Sequence, residues 1–576
     1  MISELKKDLI NIYKIIVKKN KLKIFLLFIS MFLIVAAETL SLSSFLPFFD
    51  ILFSQLNGTQ TSFVFSKNII NFLSNYQFNE IIFILSLSLI IIFLLKNILV
   101  IFLVYINQSI ANYFHYLIGE KNLDFFYNKS YESLNDFELS EIFRNVMSEP
   151  KHIVNYFSSL INIFIESLIA ISLIVIIIIT QPLGILSLIA ALVACLSIFF
   201  FSFTKLRKWG ESRFKSSSDT VKYLVLPFAN NAEIRILNLG NTFRKLFLIS
   251  SFNQLKAAFK FSFLQSINKY VLEIFFVTSI LSFLIFISKN PEANLSGSLT
   301  YLSALTIITF RLIPCANKLI SSFQAISFSS KSMKNLETVL IDDKNNLNKK
   351  EFIELDQFHN FSLNNLTFKY KKNNNTVLND LSLNIQQGDK IAISGDSGSG
   401  KSTLLKIISG LLEPTSGKIF YNGHQSSFYN CRWGKRLSYI PQKSFIFNGT
   451  LLLNITLDFN NKKADLIRMN QILNICHLTE IVNNLDNGIL SDIINDGNNF
   501  SSGQVQRIAI ARSLYSSPEV LILDEATNAL DKFLQEDIIR KILNIENLTL
   551  ICVSHDPAVL KHFLKIYRFS DGKIIN

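Results

Sequence analysis

Six stretches in the first 330 residues are apolar for long enough to cross a lipid bilayer. They run near residues 24–48, 81–106, 155–180, 183–204, 265–287 and 297–325. A hydrocarbon core of ~30 Å needs about 20 such residues in a helix. Within lipid every backbone polar group must be satisfied inside the segment, so these stretches read as helices. The mean hydropathy of the chain is +0.34 and 49% of its residues are hydrophobic, which is too apolar for a soluble protein of 576 residues. The apolar residues are concentrated in the first part of the chain, and the last 230 or so residues have the mixed composition of a soluble domain.

Basic residues orient the helices. Lys6, Lys7, Lys14, Lys18, Lys19, Lys21 and Lys23 precede or begin the first segment, and Lys205, Arg207, Lys208, Arg213 and Lys215 follow the fourth. The opposite loops hold only Lys67 and Lys289. Cytoplasmic loops carry the Lys/Arg excess, so the N-terminus is expected inside, and six crossings return the chain to the cytoplasm. The basic start runs into a stretch long enough to span, which reads as a retained first helix. Gln181-Pro182 reads as a tight turn between the third and fourth segments. The two long cytoplasmic connections are rich in helix formers and are expected to extend the membrane helices and reach the soluble domain. Ile69, Ile70, Phe72 and Leu73 in the first outer loop fit either loop packing or a helix lying at the lipid interface.

The formal net charge is +13. The basic residues flank apolar segments and form no single stripe, so the charge does not point to nucleic acid. Cys195, Cys315, Cys431, Cys476 and Cys552 have no metal-ligand spacing, and neither a disulfide framework nor a zinc site is expected.

The polar run Asp342–Glu351 falls within a linker read over 331–358. This places a membrane domain at 1–330 and a soluble domain at 359–576. In the soluble part, strand-like and helical patterns alternate, as in an α/β domain with a largely parallel sheet. Gly395-Asp396-Ser397-Gly398-Ser399-Gly400-Lys401-Ser402 matches the P-loop pattern, with Lys390–Ser394 as a strand before it and Thr403–Ile408 as a helix after it. Glycines let backbone N–H groups curl around phosphate oxygens, and the helix N-terminus adds partial positive charge. Lys401 then reaches the outer phosphates and Ser402 ligates magnesium. Val520–Leu523 is a continuous apolar run, as in a strand buried on both faces, and it ends in Asp524-Glu525. Asp524 suits a magnesium role and Glu525 a general base that polarises the attacking water.

Phe500-Ser501-Ser502-Gly503-Gln504, followed by Val505–Arg512, resembles the signature segment of ATP-binding-cassette (ABC) proteins. That resemblance implies further roles, in the family's own order along residues 360–576. Tyr370 is implied to stack on adenine, and Thr403 to complete the phosphate cradle. Gln442, in Tyr439-Ile440-Pro441-Gln442, is implied to contact magnesium and the catalytic site. Asn528-Ala529-Leu530-Asp531 resembles the D-loop, and His555 the switch histidine that contacts the γ-phosphate. In the family each ATP is clamped between one P-loop and the signature of the opposite domain, so Ser501, Ser502, Gly503, Gln504 and Asp531 are implied to act in trans in a homodimer. Ser502 stands where the family usually has glycine, and the substitution is read as tolerated.

The order of domains resembles the exporter branch. This implies an α-helical membrane domain of six transmembrane helices fused to an α/β P-loop ABC domain, with ATP and Mg²⁺ as cofactors. Ala37-Glu38-Thr39, Leu46-Pro47-Phe48 and Phe310–Asn317 resemble the PglK group, flippases of polyprenyl-pyrophosphate-linked oligosaccharide in bacterial N-linked glycosylation. That implies a multi-pass protein of the bacterial inner membrane with its ATPase in the cytoplasm. Exporters of another lipid (as in a lipid-A-type flippase), of a peptide or of a lipophilic compound remain as alternatives, and an ATP-gated channel fits less well. Lys96, Lys269 and Arg311 lie inside apolar segments, where a cation costs at least ~2.5–3.5 kcal/mol. They are candidate contacts for a pyrophosphate headgroup; Arg311 has no acid within a helical turn, whereas Glu273 follows Lys269 by four residues.

Overall fold

The structure, a computed structural model, describes residues 20–57, 64–72, 76–180, 185–288, 295–346, 353–354, 356–370, 375–425, 431–433, 436–459, 464–494, 497 and 499–575. Lys6, Lys7, Lys14, Lys18, Lys19, Gln181-Pro182, Lys289 and residues 347–351 of the expected linker lie outside them. The chain divides into two compact units. The first holds residues up to 129 and 136–345; the second holds 346–576 together with the short segment 130–135.

Six long helices build the first unit: α1 (Lys21–Ser43), α2 (Phe78–Tyr127), α3 (Glu149–Thr180), α4 (Ile185–Ala229), α5 (Gly240–Ser288) and α6 (Leu295–Asn346). Each covers most or all of one apolar segment. The 50 residues of α2 measure ~75 Å, more than twice a hydrocarbon core. Membrane helices thus continue well beyond the bilayer, as the helix-forming connections led us to expect. Helix α6 likewise runs through 331–346, residues assigned to the linker on composition. Three stretches are long and apolar enough to span by length and composition among the described residues: Lys21–Leu52, Phe78–Tyr127 and Leu139–Val175.

Burial is inverted on α2. Ile90, Leu94, Leu95, Ile98, Ile101 and Phe102 are exposed on one unit whose core is filled by Leu27, Met31, Phe114, Ile118, Tyr156, Ile169, Leu173 and Leu272. Soluble monomers rarely expose so large an apolar face, whereas lipid covers one without cost. Buried ion pairs cross the inside of the unit. Arg213 in α4 donates to both oxygens of Glu149 in α3 at 3.2 Å and to Ser332 in α6 at 2.9 Å, which ties three helices at a buried point. Near it, Gly210 lets α4 approach α6: a Cβ there would lie 2.1 Å from the Phe328 carbonyl oxygen. In the outer segment Val64–Phe72, Ile69 and Ile70 pack on Ile51 and Ile81, while Phe72 points out.

Among the described residues the second unit contains two larger sheets and two short two-stranded ones. An antiparallel one is built on β1 (Asn360–Lys369), β2 (Thr376–Gln386) and β4 (Ser416–Tyr421), with β1 central. The six-stranded sheet uses β3 (Lys390–Gly395), β5 (Leu437–Ile440), β6 (Val520–Asp524), β7 (Thr549–Val553), β8 (Lys565–Ser570) and β9 (Lys573–Ile575), in the order β9-β8-β3-β7-β6-β5. All its pairings are parallel except β8 with β9. Every residue of β6 and β7 is buried, as their unbroken apolar runs require. Parallel strands align their C-terminal ends along one edge, where open α/β sheets bind ligands. The P-loop follows β3, Glu525 follows β6 and His555 follows β7, all at that edge.

Candidate nucleotide site

Glycines shape the loop between β3 and α7 (Lys401–Ile408). Gly395, Gly398 and Gly400 have φ of 146°, 83° and 104°, conformations that favour glycine. Gly395 also needs its missing side chain, because a Cβ would sit 2.2 Å from the Phe569 carbonyl oxygen on β8. Asp396, Ser397 and Ser399 complete the loop. Lys401 is buried at the helix start, and its ammonium donates to the carbonyls of Gly395 and Asp396, each at 2.7 Å. The cation is therefore held over the mouth of the loop. Tyr370, at the end of β1, packs edge-on against Phe368, and its hydroxyl lies 3.2 Å from Thr403 Oγ1. This fixes the ring against the first turn of α7.

Asp524 closes β6 and meets Ser402, whose Oγ donates to Oδ1 at 3.2 Å. Tyr439, on β5, donates to the other oxygen at 3.0 Å. Burial pushes the Asp524 carboxyl above the usual carboxylate range, and the hydrogen bonds from Tyr439 and Ser402 oppose that shift. A hydroxyl and a carboxylate this close are hard oxygen ligands of the kind magnesium takes. Ser402 and Asp524 fit the ion; with it bound they would anchor a countercharge for phosphate oxygens.

Glu525 occupies the left-handed region at φ 52°, and its N–H donates to Val553 on β7. Its carboxylate accepts from Gln442 Nε2 at 2.9 Å and from Asn528 Nδ2 at 3.2 Å, and His555 Nδ1 lies 3.9 Å away. Three segments distant in sequence, around 442, 525–528 and 555, thus converge on one carboxylate. Gln442, read as a contact of both magnesium and the catalytic site, donates to Glu525 in this structure. Asn528 and Tyr439 were quoted within motifs without a role. Their signal was positional: Asn528 follows Glu525 by three residues, and Tyr439 precedes Gln442 by three.

The signature opens α8 (Ser502–Tyr515). Ser501 accepts from Gln504 N–H at 3.2 Å and Gln504 Oε1 accepts from Ser501 N–H at 2.8 Å, a reciprocal cap on the helix start. Helix N-termini of this kind favour phosphate. Ser502 is exposed and Gly503 packs close to the next segment, its missing Cβ 3.0 Å from Ala529 O. Gln506 accepts from Ala529 N–H at 3.0 Å, which locks 528–531 to the signature helix. Asp531 caps α9 (Lys532–Leu543) through Leu534 N–H.

The cations expected in the membrane segments divide. Arg311 Nη2 and Lys96 Nζ both meet Glu38, at 3.1 and 3.3 Å. The acid that Arg311 lacks within a helical turn comes from α1. Lys269 lies on the exposed side of α5 and makes no ion pair with Glu273 among the described residues. Glu166 and Lys318 form a further pair at 2.9 Å that sequence reading did not single out.

Residues 378–528 match the family model described as ABC transporter. Over 231 residues the chain is 33% identical to the lactococcin-A transport/processing ATP-binding protein LcnC of Lactococcus lactis, covering 39% of this chain and 31% of that protein. It is 30% identical over 213 residues to an ATP-dependent lipid A-core flippase of Ralstonia nicotianae, covering 36% of each. It is 35% identical over 216 residues to the alpha-hemolysin translocation ATP-binding protein HlyB of Escherichia coli O157:H7, covering 36% of this chain and 30% of that one. The chain spans about a third of the length of these curated relatives. Among solved structures, a bacterial Atm1-family ABC exporter with ATP bound superposes with a TM-score of 0.73 at 18% identity, covering 97% of this chain and 95% of that one. With its helical membrane unit and its ABC transporter domain, the chain has the fold of an Atm1-family ABC exporter.

Proposed function

We propose that the chain is half of an ATP-driven exporter, a homodimer that flips a polyprenyl-pyrophosphate-linked oligosaccharide from the inner to the outer leaflet of a bacterial cytoplasmic membrane. The observation that carries the ATPase part is the Glu525 carboxylate, fixed by Gln442 and Asn528 beside His555 at the sheet edge that holds the P-loop. In this reading the P-loop amides and Lys401 bind the phosphates, and Glu525 takes a proton from the attacking water. Gln442 and Asn528 keep that carboxylate aimed, and His555 stands ready for the γ-phosphate. Magnesium, held by Ser402 and Asp524, supplies charge neutralisation. Ser501, Ser502, Gly503 and Gln504 of one copy complete the site of the other. A full hydrolytic set favours a pump over a gated channel, since gating can run on binding alone.

The cargo reading rests on charge. Lys96 and Arg311 share the single carboxylate of Glu38, which leaves one formal positive charge in a membrane unit where a net charge is costly. An anionic headgroup answers it, and dimerisation doubles it. The resemblance of the first and sixth segments to the PglK group favours a pyrophosphate-linked glycan. The lipid A-core flippase relative supports a second reading, another lipid with a phosphorylated headgroup. Reconstitution in liposomes with candidate lipid-linked sugars tests the choice. The cargo should stimulate ATP hydrolysis and appear in the far leaflet only with ATP; stimulation by lipid A alone would favour the second reading.

A further inference from the structure

The carboxylate that ends β6 is engaged at both of its oxygens. Ser402 Oγ donates to Asp524 Oδ1 at 3.2 Å, and Tyr439 Oη donates to Oδ2 at 3.0 Å. Sheet register brings the tyrosine there. Tyr439 pairs with Ile522 across the parallel β5–β6 ladder, and Asp524 lies two residues farther along β6. Side chains two apart on a strand share a face, so Tyr439 and Asp524 stand on the same side of the sheet. On that side the Tyr439 ring packs against the core that contains Ile522, Leu404 and Leu405. The packing fixes where its hydroxyl sits.

The two hydrogen bonds leave different things open. Ser402 gives its proton to Oδ1 and keeps its own lone pairs, which remain available to a cation. Tyr439 has no such second use. A phenol keeps its proton at neutral pH, so it donates to Oδ2 and claims that oxygen. A carboxylate can hold a cation with one oxygen or with both. Calcium takes about six to eight oxygens in a flexible shell that accommodates a two-oxygen clasp. Magnesium demands a near-ideal octahedron at ~2.0–2.1 Å and keeps several waters, which suits a single carboxylate oxygen.

We propose that Tyr439 is a positioning residue that restricts Asp524 to one-oxygen ligation and so selects magnesium over calcium at the nucleotide site. To be clasped by both oxygens, calcium must break the Tyr439–Asp524 bond, and a hydrogen bond to a charged group is worth about tenfold in affinity or more. The proposal rests on the reading of Ser402 and Asp524 as ligands of the nucleotide's metal.

The test uses the full-length protein in lipid nanodiscs, in excess over a non-hydrolysable ATP analogue. Bound Mn²⁺ is followed by electron paramagnetic resonance and displaced with Mg²⁺ or Ca²⁺, which gives a Kd for each ion without turnover. Wild type should favour Mg²⁺ over Ca²⁺ by more than the free analogue does. Tyr439→Phe keeps the ring and removes the hydroxyl. Its ratio of Ca²⁺ to Mg²⁺ Kd should fall about tenfold, chiefly through tighter Ca²⁺ binding. A hydroxyl that only satisfies the buried carboxylate would affect both ions alike, and an unchanged ratio overturns the proposal. Asp524→Asn tests the reading beneath it. If that variant weakens both ions while Tyr439→Phe leaves the ratio unchanged, the metal ligands stand and the selecting role falls. If Asp524→Asn changes neither ion, both fall. Should Tyr439→Phe fail to fold, the wild-type comparison decides, and a preference no greater than that of the free analogue overturns the proposal.

Discussion

Gln442 donates its side-chain amide to Glu525 across 2.9 Å, linking the end of β5 to the end of β6. The bond, with that from Asn528, fixes the carboxylate that faces the phosphate edge. Glu525→Gln keeps the size of the side chain and removes the base. It should retain ATP binding while turnover falls by about 10²–10⁴-fold, the usual worth of general-base catalysis. Lys401→Ala removes a buried cation and should weaken ATP binding itself, by about tenfold or more. Binding of a fluorescent ATP analogue and phosphate release, measured on both variants, separate the two. Wild-type turnover in Glu525→Gln would sink the assignment.

Cross-subunit sharing makes a mixed dimer informative. Gly503 is a poor place for the second lesion, because a side chain there meets Ala529 O at 3.0 Å and disturbs the segment beside its own Glu525. Ser502 is exposed, and Ser502→Asp sets a negative charge at a helix start where phosphate is expected. A Lys401→Ala subunit paired with a Ser502→Asp subunit should place both lesions in one composite site and leave the other whole. Occlusion of one nucleotide per dimer supports this; loss of both sites counts against sharing. Ser502→Gly alone should leave ATPase activity equal or higher.

The close approach of α4 and α6 predicts a stability effect. Gly210→Ala puts a methyl 2.1 Å from the backbone oxygen of Phe328, which cannot rotate away. The helices must separate, at a cost of ~1–3 kcal/mol. Gly240→Ala, with nothing within 4 Å, should stay within about 0.5 kcal/mol of wild type. Thermal unfolding in detergent compares the pair, and equal midpoints would contradict the packing.

What the sequence made legible follows from range. The P-loop depends on glycines within one loop, and β6 and β7 on continuous apolar runs, so both could be read from neighbours along the chain. Glu38 could not. It lies 58 residues from Lys96 and still farther from Arg311, and only the register of three helices brings them together. The Arg213–Glu149 tie spans 64 residues for the same reason. Composition misplaced the end of α6, because Lys and Asn at 331–346 are polar without breaking a helix, and no Pro or Gly stops the chain there.

The Glu38 cluster turns the cargo question into arithmetic on charge. With Lys96 and Arg311 on one carboxylate, its formal charge is +1. Arg311→Ala brings it to zero, and flipping of a pyrophosphate-linked lipid should fall by tenfold or more, since a charge-assisted contact and its planar geometry are both lost. Lys96→Ala gives the same charge but keeps the guanidinium, so its loss should be smaller. Lys269→Ala, on an exposed side of α5 and with no ion pair to this cluster among the described residues, should cost less again. The decisive variant is Arg311→Ala with Glu38→Gln. Removing the acid leaves Lys96 alone and restores +1, so the double variant should flip several-fold faster than Arg311→Ala. Glu38→Gln by itself strands two adjacent cations, and protein yield should drop, because breaking a buried pair costs ~3–5 kcal/mol. Flipping is read by accessibility of the lipid-linked sugar to an external lectin in proteoliposomes. An anionic cargo requires the recovery in the double variant; equal flipping in single and double variants would mean that the headgroup does not sense this charge, and would move the cargo toward a neutral lipid.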